Sequence, residues 1–109
     1  MINTALLEKQ YYIYRSNAMN HCDMTIPKNA NFRATRLAIC KAKLCCNYLT
    51  KMLARVAAVG NITNDIVSFK EKMKMELDKR FAELNKHKQE LAELNRQARI
   101  QCRQYSLPG

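Results

Sequence analysis

Leu77, Leu84 and Leu91 recur at strict seven-residue spacing, and Ala98 and Tyr105 continue the column. A seven-residue apolar repeat keeps one face of an α-helix on a partner turn after turn, whereas a strand alternates its side chains every second residue. Phe81, Leu94 and Cys102 lie beside the column, and Ile66, Phe69 and Met73 extend it backwards. Polar residues take the second seam position near His87-Lys88, so the heptad is interrupted there. Glu71–Lys74, Glu76–Arg80, Glu83–Lys86 and Glu93–Arg96 are spaced three or four apart, as helix ion pairs are. Residues 65–104 therefore read as one long helix, with Thr63 or Asn64 as its cap and Asp65 in the first turn. Fully helical, it spans about 60 Å. Two shorter helices cannot cover that length, so it should pair with another chain or fold back in part. The tail Ser106–Gly109 should fray.

Glycine and proline together number only four in 109 residues, so few points interrupt a helix and a turn-rich β fold is excluded. Residues 3–20 read as a first helix, capped by Asn3 or Thr4, with Leu7, Tyr11, Tyr14 and Ala18 on one face. Residues 21–30 are a connector, where Pro27 biases Ile26 away from helix. Asn29 or Asn31 can cap the next helix. Residues 31–59 read as that second helix, ended by Gly60-Asn61. Placed at 100° steps, Ala34, Ala38, Ala42, Cys45, Leu49, Met52, Leu53 and Val56 form its apolar arc. The small residues of its first half would let another helix approach closely. The expected class is all-α, with three helices per chain. The division is a helical core over residues 1–63 and a long heptad-bearing helix with a short tail over 64–109.

Lys and Arg total 19 against nine Asp and Glu, a formal net charge of +10. The excess is uneven. Arg33, Arg36, Lys41, Lys43, Lys51 and Arg55 fall in residues 31–60, and no acid occurs between Asp23 and Asp65. A solvated helix normally mixes both signs, as residues 65–104 do. On the second helix, Arg33, Arg36, Cys40, Lys43, Asn47, Thr50, Lys51 and Arg55 occupy the arc opposite the apolar one. Leu37 and Leu44 interrupt it. The stripe is about 33 Å long. A one-sign stripe of this kind points to an anionic partner.

Several classes of chemistry are missing. There is no Gly-rich phosphate loop, no nucleophile elbow and no Ser/His/Asp set, so no enzyme and no cofactor are expected. Cys22, Cys40, Cys45, Cys46 and Cys102 show no C-x-x-C spacing, and no metal site is expected. Without a recognisable secretion signal, all five are expected to be reduced thiols in an intracellular protein. No apolar window of about 18 residues exists, so no membrane span is expected. A membrane-surface helix is disfavoured too, because the arc opposite the bases is rich in Ala and Cys rather than in bulky apolar residues. The tyrosines read as core and interface packing rather than as base-stacking platforms.

Among anionic partners, double-stranded RNA fits best. Its wide minor groove offers phosphates and 2′-hydroxyls to a long flat helix without base readout. Sequence-specific DNA binding usually uses a short recognition helix after a tight turn, which is not seen.

Element order and size, with Ala38-Ile39-Cys40-Lys41-Ala42-Lys43-Leu44, resemble the small RNA-silencing suppressors of insect nodaviruses. That stretch is similar to a Cys-x-x-Lys / Lys-Ala-Lys-Leu sequence in the family's second helix. Cys40 and Lys43 match its contact residues, while Arg33 and Lys51 fall one residue from the family's flanking bases. The resemblance implies a homodimer in which two helix hairpins form a four-helix bundle, its second helices lying along double-stranded RNA. It implies suppression of RNA silencing by hiding duplexes from Dicer and from loading, in the host cytoplasm. Dicer or other silencing proteins are further candidate partners. On this reading Arg33, Arg36, Lys43, Lys51 and Arg55 meet phosphates, and Cys40, Asn47 and Thr50 reach ribose hydroxyls. Ala38, Ala42, Cys45, Leu49, Leu53, Val56, Leu77, Leu84 and Leu91 serve dimer or core packing. Two other readings remain open: a non-enzymatic coiled-coil subunit of a larger assembly such as a ribonucleoprotein, and a DNA-binding protein.

Overall fold

In the computed structural model, which describes residues 2–106 and the side chains as far as Arg103, three helices follow one another: α1 (Thr4–Thr25), α2 (Arg33–Ala57) and α3 (Asn64–Ser106). No strand occurs among the described residues. The side chain of Tyr105 and residues 107–109 of the tail lie outside them.

The helix ends follow from local chemistry. Asn3 caps α1 by accepting from the Leu6 N–H (3.1 Å), which satisfies one orphan donor of the first turn. α1 ends where Pro27 forces Ile26 into extended backbone (φ −99°, ψ 123°). It runs through Thr25, five residues past the expected end, so His21 and Cys22 are helical. Gly60 sits at φ +83°, a conformation that suits glycine, and closes α2. The Thr63 hydroxyl accepts from the Ile66 N–H (3.3 Å) and caps α3. Neither Asn29 nor Asn31 caps α2. Phe32 stands at that position, in left-handed backbone (φ 57°) and without a side-chain cap.

α2 lies between the other two helices and antiparallel to both. Its arc of Cys45, Leu49, Met52 and Val56 packs with Tyr11 of α1 and with Ile66, Phe69 and Met73 of α3. Leu7, Tyr48, Leu53 and Leu77 close over this cluster, half-buried. Ala42 and Cys46 meet Leu84 in a second cluster. The close approach expected at the small residues thus occurs at Ala42, and the helix that makes it is the chain's own α3. Ala38 is half-buried and Ala34 is exposed. Tyr14 stacks on Tyr48 (centroids 4.5 Å apart, planes at 24°), and Tyr11 lies 6.0 Å from Tyr48. These three tyrosines are packing residues between α1 and α2.

α3 is continuous and does not fold back. The described chain measures 71 × 23 × 16 Å, while α2 has 25 residues, about 37 Å of helix. Thr35, near the start of α2, shares a shallow hollow with Lys86, Gln89, Glu90, Glu93 and Leu94. From about that point α3 projects past the other two helices. Along its column Leu84 is buried and Leu77, Leu91, Leu94 and Ala98 are half-buried, whereas Cys102 is exposed.

Candidate nucleic-acid interface

The exposed side of α2 is set by its neighbours. α1 covers the flank of Cys45, Tyr48 and Met52, and α3 covers the flank of Ala42 and Cys46. The remaining arc carries Arg36, Lys43, Asn47, Thr50, Lys51 and Arg55, all exposed. None of its four cations forms an ion pair among the described residues. From Arg36 to Arg55 this row is about 28 Å long. The Thr50 hydroxyl donates to the Cys46 carbonyl one turn back (2.8 Å), which leaves its lone pairs outward as acceptors.

Two residues expected in this row are tied down elsewhere. Arg33 is half-buried and pairs with Asp23 of α1 (2.7 Å). Its guanidinium also donates to the carbonyls of Ile26 (2.5 Å) and Pro27 (2.9 Å). It therefore caps the end of α1 and holds the connector rather than meeting a phosphate. Cys40 is bonded to Cys22 in a disulfide, with Cα atoms 6.0 Å apart, inside the range such a bond requires. The antiparallel α1–α2 hairpin turns a separation of 18 residues into direct opposition. The expectation of five reduced thiols is thus corrected: Cys22 and Cys40 are joined, while Cys45 and Cys46 remain thiols. Spacing alone gives no sign of the bond, because the sequence reading puts Cys22 in a connector rather than on a helix facing α2. The expectation of a reducing compartment loses the support it drew from the cysteines.

Cys45 and Cys46 are buried, and burial pushes both thiols above their ordinary pKa. They are packing residues, protonated at neutral pH. Among the described residues, no group of three or more His, Cys, Asp or Glu side chains could hold a metal ion.

Behind the exposed row lies a polar cluster that periodicity does not reveal. One carboxylate oxygen of Glu76 (Oε1) accepts from the Tyr11 hydroxyl (3.0 Å), Arg15 (3.2 Å) and Arg80 Nε (3.0 Å). Arg80 also donates to Glu83 (2.8 Å) and is only 8% exposed. Burial acts against the Arg80 charge, but Glu76 and Glu83 more than offset it and hold the guanidinium cationic. The Tyr11 phenol is pushed well above its usual range by burial and by the nearby Cys45 and Glu76. Phe81, expected beside the packed column, is 44% exposed, and Arg80 takes the buried place. A Glu/Arg pair four apart reads the same whether it faces water or a core, so only Tyr11 and Arg15 on α1 decide it. This cluster ties α1 to α3, and its charges are mutually satisfied.

The chain matches no family model, no curated protein and no solved structure. No helix among the described residues is long and apolar enough to cross a membrane.

Proposed function

We propose that this protein binds double-stranded RNA by shape, through the exposed row of α2, and acts as a homodimer. The carrying observation is that row: Arg36, Lys43, Lys51 and Arg55 are exposed on one side of a 25-residue helix, without ion pairs among the described residues. Such cations neutralise phosphates and release condensed counterions, a gain that depends on spacing and not on sequence. Asn47 and Thr50 sit between them and can hydrogen-bond 2′-hydroxyls, the groups that distinguish RNA from DNA. Shielding of duplexes from Dicer and from loading, and with it suppression of RNA silencing, is the biological role that the nodavirus resemblance supplies for such a face.

The test is a binding series with RNA duplexes of unrelated sequence, DNA duplexes of the same lengths, and single strands, at ~150 mM salt, where surface charges are screened beyond about 8 Å. The RNA duplexes should bind alike and more tightly than the rest. Tighter binding of DNA, or of one RNA sequence alone, refutes the reading.

The projecting end of α3 favours a second reading, in which the protein docks as a coiled-coil subunit into a larger assembly. Such a subunit purified alone should aggregate or melt without cooperativity. A cooperatively melting dimer counts against it.

A further inference from the structure

α3 carries acids and bases in near balance, but they are not evenly placed. α1 touches it along one flank only, where Lys72 pairs with Glu8 and Glu76 meets Tyr11 and Arg15. The opposite flank carries Val67, Lys70, Lys74, Phe81, Asn85, Lys88, Ala92 and Arg99, which succeed one another in steps of three, four and seven. That spacing is a single row along a helix. One acid borders the row: Asp78, four residues after Lys74 and about 20° from Asn85 at 100° per residue, against the four bases Lys70, Lys74, Lys88 and Arg99. Val67 and Lys70 are half-buried and the rest are exposed. Lys70 donates to Asn61 (2.8 Å), and Lys74, Lys88 and Arg99 form no ion pair among the described residues.

The side of the molecule on which this row lies is fixed by packing. Leu84 sets α3 against Ala42 and Cys46, and α1 lies on the other flank of both helices. The flank of α3 turned away from α1 therefore borders the open arc of α2, next to Lys43 and Thr50. Two basic rows run side by side, the α2 row without an acid and the α3 row with Asp78 at its edge, and the α3 row continues past the start of α2. From Lys70 to Arg99 it is about 44 Å long, against about 28 Å for the α2 row.

We propose that the duplex-binding surface is a two-helix face, in which Lys74, Lys88 and Arg99 of α3 contact the phosphates that flank those held by α2. This rests on the double-stranded RNA reading and adds a second, longer line of contacts to it. The three residues act as non-specific phosphate contacts, so their removal weakens every duplex alike.

The experiment compares three variants of the full chain. One is K74A/K88A/R99A. The second, K9A/K79A/K86A, removes equal charge from exposed positions off the face. The third is R36A/K43A on α2. All six substitutions on α1 and α3 are at exposed helical positions, and circular dichroism and melting confirm the fold. Affinity for an RNA duplex is measured across a salt series. The α3 variant should lose roughly tenfold or more at ~150 mM salt, and its log–log salt slope should fall by about one per residue removed. The off-face variant should stay within about threefold of wild type. Equal losses in the α3 and off-face variants would reduce the effect to bulk charge and overturn the inference. An unchanged α3 variant beside a weakened R36A/K43A overturns it too, and leaves the α2 reading standing. Absence of duplex binding by wild type refutes both.

Discussion

Replacing Glu76 by alanine is the sharpest test of what holds the three helices together. The substitution deletes the oxygen that receives Tyr11, Arg15 and Arg80 at 3.0, 3.2 and 3.0 Å. Arg80, 8% exposed, keeps only Glu83, whose side chain is 40% exposed. Breaking a buried ion pair from one side costs about 3–5 kcal/mol, chiefly because the surviving charge stays desolvated. Arg15 is about one-third exposed and recovers water, so it adds little. A domain of this size has about 5–15 kcal/mol in total, and the expected loss is a large share of it. Urea unfolding followed by circular dichroism should show the midpoint drop with an unchanged slope. The double variant Glu76→Leu/Arg80→Met should recover most of the loss, since apolar residues of similar volume replace a buried pair at little cost. A loss of under about 1 kcal/mol for Glu76→Ala, as for an exposed pair, would refute the buried-cluster reasoning.

Reduction of the Cys22–Cys40 disulfide removes a constraint that spans 18 residues, which should lower stability by about 3 kcal/mol. Cys22→Ser should match reduced wild type and be insensitive to reductant in the same urea assay, and a wild type equally insensitive would contradict the bond. Stability should also fall in alkali: the folded protein keeps the Tyr11 proton above the ordinary 10.0, where the unfolded chain releases it, so the contribution is full below pH 10 and lost as pH rises above it. The buried Cys45 and Cys46 thiols, also raised, begin the decline near pH 9. A flat urea midpoint between about pH 8 and 11 would contradict both assignments.

The three helices could be read from periodicity because their faces are long and the breakers few. Pro27 and Gly60 marked real ends, and Asn3 and Thr63 real caps. The apolar arc of α2 held from Ala42 to Val56. Arg33 and Cys40 lie on the basic stripe by helical angle, but the hairpin brings Asp23 and Cys22 onto them. Angle along one helix says nothing of what a neighbouring element covers. Glu76–Arg80 illustrates the same limit from the other side, since burial is decided by Tyr11, 65 residues away. On α3, the mixed charge concealed a predominantly basic row, because net charge sums over faces that packing later separates.

The proposed activity depends on the α2 row being a phosphate-binding surface. The most direct measurement is the affinity of R36A/K43A for an RNA duplex, beside wild type and K9A/K79A, at ~150 mM salt. R36A/K43A alone should lose roughly tenfold or more, with a salt slope smaller by about two. Binding of R36A/K43A equal to wild type, with both variants folded, would contradict a phosphate-binding role for the row.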